Sequence, residues 1–117
     1  MSIYIQRIYE DKQQEGLRIL VDRVWPRGIA KDDAHLDHWI KEVAPTSELR
    51  KWFNHDPKLY AAFKEKYKKE LRENIDQKQA FEELQNTVSK TDKDIILLFA
   101  AKDKKHNQAI VLQELLQ

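Results

Sequence analysis

Residues 17–29 read LRILVDRVWPRGI. The apolar first half reads as a β-strand over 17–24, buried on both faces, as in a parallel or sandwich sheet. The second half sets an aspartate and two arginines around a tryptophan, a proline and a glycine. Alternation puts Ile19, Val21, Arg23 and Trp25 on one side and Leu20, Asp22 and Val24 on the other. Asp22 therefore falls in an apolar row and requires a cation or backbone amides, with Arg27 or Arg7 as the candidate cations. Pro26 holds Trp25 extended, and Gly28 allows a positive φ or a close backbone approach.

Working outward, residues 3–9 (IYIQRIY) alternate and read as a first strand. The link through EDKQQEG is short for a parallel crossover, so a hairpin and a parallel arrangement both stay open. On the other side, Leu36, Trp39, Ile40 and Val43 form a stripe that predicts a helix over 33–43 with Asp33 as N-cap. Pro45 ends it, and Thr46 or Ser47 caps the next helix, which buries Leu49, Trp52 and Phe53. Asp56-Pro57 starts a long helix carrying Leu59, Phe63, Tyr67, Leu71 and Ile75. Asp76 with Gln79 resembles a capping box that opens another helix through Phe81, Leu84 and Val88. Residues 95–100 (IILLFA) read as a last strand, followed by the loop AKDKKHN and a C-terminal helix. The expected architecture is a single α/β domain over 1–117, a Rossmann-like sandwich with a central sheet of about three strands flanked by helices.

The 117 residues hold 21 Lys+Arg against 20 Asp+Glu, and the balance persists in each half. Such a chain has no global field for nucleic acid or anionic membrane, so any anion recognition must be local. The absence of cysteine removes thiol nucleophiles, thiolate metal sites and disulfides. The N-terminal stretch lacks the pattern of a secretory signal, and no apolar run reaches the roughly 20 residues of a membrane span. The expectation is a cytoplasmic protein without a membrane partner or cofactor. Its oligomeric state is left open.

Three segments carry candidate chemistry. In the first, Arg23 and Arg27 flank a rigid bend, and the arginine fork suits phosphate or carboxylate. An Asp–Arg clasp of purely structural meaning explains the same residues. In the second, Lys102, Asp103, Lys105, His106 and Asn107 follow a strand and precede a helix, where ligands and anions gather in α/β units. Asn107 is equally a helix cap. In the third, APTSELRKWFNHD, Ser47 sits at a helix mouth and Arg50 offers a third anion contact. His35 and His38, with Asp37 or His55, lack the partner set of a metal site, so none is expected. The i,i+4 pairs in KEKYKKELRE mark a solvated face.

Taken together, RILVDRVWPRGI, LDHWIKEVAPTSELRKWFNHDP, FKEKYKKEL and IILLFAAKDKKHNQAIVL resemble the YeaO-like branch of the family called domain of unknown function 488. The resemblance implies a small bacterial or archaeal α/β domain and no particular activity. The wider family resembles a doubly wound domain with an Asp-Val-Arg strand end and a late Cys-His-Arg loop. Asp22-Arg23 followed by Pro26 matches the first pattern. Only His106 matches the second, with Asn107 in the arginine's place, so thiol chemistry is out of reach. The resemblance points to Arg23, Trp25, Pro26, Arg27, Gly28, Ser47, Arg50, Trp52, Lys102, Asp103, His106 and Asn107 as pocket residues. The reading that follows is a domain that binds a small phosphate- or carboxylate-bearing ligand. It extends to an enzyme with Asp22 as general base and His106 as proton carrier. The rival readings are a nucleic-acid or regulatory binder and a structural or partner-binding domain.

Overall fold

The computed structural model describes residues 2–117, so Met1 of the expected domain lies outside the described residues. The fold is α/β, with four strands rather than three: β1 (Ile3–Arg7), β2 (Leu17–Leu20), β3 (His38–Trp39) and β4 (Ile95–Phe99). They are ordered β1-β4-β2-β3, and every pairing is parallel. The hairpin reading is thereby overturned. β1 and β2 never touch, because β4 lies between them with Ile95 opposite both Ile3 and Leu17. The link over residues 8–16 crosses β4 without a helix. Gly16 allows it: at φ 151° its Cα passes so near β4 that an added Cβ would lie 2.6 Å from the Asp94 carbonyl oxygen.

All five residues of β4 are buried, as a strand covered on both faces requires. Ile95, Leu97 and Phe99 join Ile19 and Val21 on one face. Helices α2 (Ser47–Phe53), α3 (Tyr60–Glu73), α4 (Ile75–Ser89) and α5 (Gln108–Leu116) cover that face with Leu49, Phe63, Tyr67, Leu84 and Leu112. Ile96 and Leu98 join Leu20 and Ile8 on the other face, under the short α1 (Lys31–Ala34), Trp25, Ile29 and Leu36.

The helix expected over 33–43 does not form. α1 starts at Lys31 without a side-chain cap and stops at His35, which turns left-handed at φ 49°. The buried Arg18 of β2 takes the Ala34 and His35 carbonyls, occupying the acceptors a longer helix would use. Asp37 then exchanges hydrogen bonds with the Arg18 backbone, and the Ile40 amide donates to Leu20, so the chain lies against β2 as β3. A 3-10 turn over Lys41–Val43 follows.

Farther along, Thr46 rather than Ser47 caps α2 by accepting from the Leu49 amide. Asp56 caps a 3-10 turn at Pro57–Leu59 ahead of α3. α4 begins directly after Asn74 rather than at an Asp76 capping box, which leaves Ile75 exposed. Within KEKYKKELRE, Glu70 turns from Lys66 towards Thr46 and Gln77. Among the described residues no helix is long and apolar enough to cross a membrane.

Candidate functional site

At the C-terminal ends of β2 and β4, between α2, α3 and the start of α5, lies a cleft of about 890 Å³. This is where open parallel sheets place ligands, and the volume suits a small molecule. Asp22, Arg23, Arg50, Lys102, Asp103, His106 and Asn107 all line it, so three segments remote in sequence converge there. Six other expected pocket residues, Trp25, Pro26, Arg27, Gly28, Ser47 and Trp52, do not line the cleft, and Trp52 is exposed on α2 rather than buried with Leu49 and Phe53. Trp25 packs on the opposite face of the sheet, 5.3 Å from Trp39 in an edge-on pair, and its indole donates to the Ile29 carbonyl. Arg27 and Gly28 are exposed on the turn beyond it, with Gly28 at φ 83° and open space around it. The exposed Ser47 opens α2 away from the lining. The strand expected over 17–24 ends at Leu20, so strand alternation does not hold through Trp25, and Pro26 turns the chain beyond the sheet end.

The Asp–Arg cluster therefore separates into three parts. Asp22 pairs with neither arginine. Its Oδ2 accepts from the Ala100 amide at 2.8 Å, and its Oδ1 accepts from the Gln108 side chain. These contacts tie the end of β2 to the end of β4 and to the first turn of α5. Burial pushes the Asp22 carboxyl up to about 6, against the pull of those two donors and of the Arg50 charge. Arg23 is consumed by the opposite wall. Its guanidinium donates to the Pro45 and Ala44 carbonyls at 3.2 and 2.9 Å and to Glu42 at 3.0 Å. Arg27 contributes only its carbonyl, to the Tyr9 hydroxyl.

The wall that Arg23 grips is a closed polar network. The buried Tyr67 hydroxyl donates to Val43, the Gln77 amide donates to Ala44 and Glu70, and Glu70 takes both the amide and the hydroxyl of Thr46. Every carbonyl from Val43 to Pro45 thus has a side-chain donor, as buried backbone requires.

The wall after β4 differs. Asp103 accepts from the Lys105 and His106 amides, and its other oxygen lies 2.9 Å from His106 Nδ1. Those amides and the imidazole keep the Asp103 carboxyl below its ordinary value. His106 stands edge-on to Tyr60 with ring centroids 5.2 Å apart. Asn107 is buried and caps α5 by accepting from the Ile110 amide, while its own amide holds the Asp103 carbonyl. The helix-cap reading of Asn107 is correct and its place in the cleft is too.

Arg50, Lys51 and Lys102 line the cleft, and among the described residues none forms an ion pair or a side-chain hydrogen bond. Arg7, expected as a cation for Asp22, instead donates its guanidinium to the Ala100 and Ala101 carbonyls. Sequence reading missed Gln108, the neutral partner of Asp22, because an uncharged side chain gives no signal without the fold. Among the described residues no group of three or more His, Asp and Glu side chains is arranged to hold a metal.

One relative spans the whole chain. The chain is 42% identical over 118 residues to the Uncharacterized protein YeaO of Escherichia coli strain K12, spanning 100% of this chain and 98% of that one. It is 44% identical over 72 residues to the Uncharacterized protein Rv3073c of Mycobacterium tuberculosis H37Rv, covering 61% of each. No solved structure matches it. Residues 2–117 match DUF488-N3i, described as the inactive DUF488-N3 subclade, and the chain belongs to that family.

Proposed function

We propose that the cleft binds a small anionic ligand, phosphate- or carboxylate-bearing, and that the protein is a binding domain rather than a catalyst. One observation carries this reading: Arg50 and Lys102 border a small-molecule-sized cleft with no acidic partner of their own. Surface cations without partners are common, but here they line one cleft with the start of α5 and the strand ends, where anions are favoured. Arg23 is a positioning residue in this reading, because its donors are taken by Ala44, Pro45 and Glu42. The subclade's description as inactive supports binding without turnover.

Calorimetric titration of the full chain with inorganic phosphate tests the proposal. Arg50→Ala and Lys102→Ala are each expected to weaken binding about tenfold, the usual worth of a charge-assisted contact. Phosphate affinity unchanged by both substitutions would overturn it.

A second reading makes the cleft an acid–base site, and the raised Asp22 carboxyl beside the Asp103–His106 pair favours it. Asp22 would then be the base and His106 the proton carrier. That reading requires turnover of the bound ligand, lost in Asp22→Asn with binding retained. A ligand recovered unchanged after prolonged incubation would remove it.

A further inference from the structure

Asp22 carries a charge that its own surroundings leave unbalanced. Both of its hydrogen-bond donors, the Ala100 amide and the Gln108 side chain, are neutral. Among the described residues no basic side chain forms an ion pair with it. Its neighbour Arg23 is spent on Glu42 and two carbonyls, and Arg50 acts on it only through its charge. Each carboxylate oxygen keeps a second lone pair after these contacts, and the carboxylate lines the cleft. A half-buried carboxylate with neutral partners is costly, and a cation at the free lone pairs would remove that cost.

The same cleft has the opposite imbalance at its rim, where Arg50 and Lys102 lack an acid. A plain anion would satisfy the rim and be repelled by Asp22. A plain cation would satisfy Asp22 and be repelled by the rim. Asp22, Arg50 and Lys102 line one cleft of about 890 Å³, and the Arg50 charge acts on Asp22, so one small molecule can meet both ends. The remaining titratable groups facing the cleft are Arg7 at the end of β1, Tyr9, Lys51 and His55, and Asp103 and His106, which are paired with each other. Phe53 and Phe63, stacked with centroids 4.3 Å apart, supply an apolar wall to the same cleft.

From this arrangement we infer that the ligand of the cleft is a small zwitterion: its ammonium pairs with Asp22, and its phosphate or carboxylate is held by Arg50 and Lys102. The inference rests on the anion-binding reading and narrows it to amino phosphates and amino acids. Asp22 is then the residue that separates an amino-bearing anion from the same anion without the amine, and Gln108 positions it.

Paired probes separate the two ideas. Calorimetry on the full chain at pH 7.5 compares O-phosphoethanolamine with ethyl phosphate, and β-alanine with propionate. For the head group that binds, the amino member is expected to bind at least about tenfold tighter, as a desolvated charge pair provides. Asp22→Asn is expected to bring the two members within about twofold, and Arg50→Ala to weaken both alike, each effect following the contact removed. Equal binding of the two members, still dependent on Arg50, sinks the zwitterion and leaves the anion reading standing. Failure of all four probes sinks both. A measurement on the unsubstituted chain decides the matter if Asp22→Asn folds poorly. The carboxyl carbon resonance of Asp22 should titrate at lower pH with saturating O-phosphoethanolamine and at higher pH with saturating ethyl phosphate. Shifts of the same sign with both would contradict the inference.

Discussion

The wall of the cleft built by residues 42–46 closes its hydrogen bonds on itself, whereas Asp22, Arg50 and Lys102, which line the same cleft, have no charged partner in contact among the described residues. Arg23, Tyr67, Glu70 and Gln77 supply donors and acceptors until the Val43–Thr46 backbone is satisfied. Facing them, Asp22 takes neutral donors only, and Arg50 and Lys102 take nothing. A satisfied network fixes geometry, and an unsatisfied one is available to a ligand. The same residue type, arginine, therefore does different work within one cleft, and the partners decide which.

The largest break in that contrast is expected at Arg23. Arg23→Ala removes three contacts from a part-buried guanidinium and leaves Ala44, Pro45 and Glu42 unpaired. It should cost about 2–3 kcal/mol in urea unfolding. A loss no greater than that of an ordinary surface substitution would mean that the 42–46 wall stands without it.

Asp22→Asn comes next and depends on pH. The folded carboxyl titrates at about 6, above its ordinary 3.8, so between those values the folded chain holds more protons than the unfolded one. Stability then falls as pH rises through that window and stays reduced above it. The Asn variant escapes this cost and should be more stable than the parent by about 1–2 kcal/mol at pH 8, with the gain gone near pH 4. Denaturant melts at the two pH values check this. A variant less stable at pH 8 would show that the carboxylate is structural and not a reserve kept for a ligand. Under the same logic, sulfate should bind more tightly below pH 6, where Asp22 becomes neutral.

A smaller effect belongs to Asn107→Ala, which removes the cap of α5 and should lower stability by about 1 kcal/mol in thermal unfolding. The smallest is Arg50→Ala. An exposed side chain without partners should change stability by less than about 0.5 kcal/mol while its effect on anion affinity is large. That divergence between stability and binding is the mirror image of Arg23.

Much of this was legible in the residues. The apolar run IILLFA reads as a strand, and it forms β4, an inner strand of the sheet with all five residues buried. The convergence of Asp22, Arg50 and the 102–107 loop followed from placing charged segments after strands. What failed did so for identifiable reasons. Leu36, Trp39, Ile40 and Val43 have helical spacing, but the buried Arg18 halts α1, and the open edge of β2 draws residues 38–39 into the sheet. Periodicity carries no information about that edge. Strand alternation placed Trp25 with Arg23, yet β2 ends at Leu20, Trp25 packs on the other face, and Arg27 is exposed on the turn beyond it. The roles of Arg7 and Gln108 depend on contacts 86 or more residues away, which no local pattern encodes.

The central claim is that Arg50, and not Arg23, meets a ligand in this cleft. A proton–nitrogen NMR titration of the intact chain with sulfate tests it most directly, by following the Nε–H signals of the two arginines. The Arg50 signal should move and saturate while the Arg23 signal, held by Pro45, stays in place. A saturating shift at Arg23 with Arg50 unmoved, or no saturable shift at either, would contradict the account.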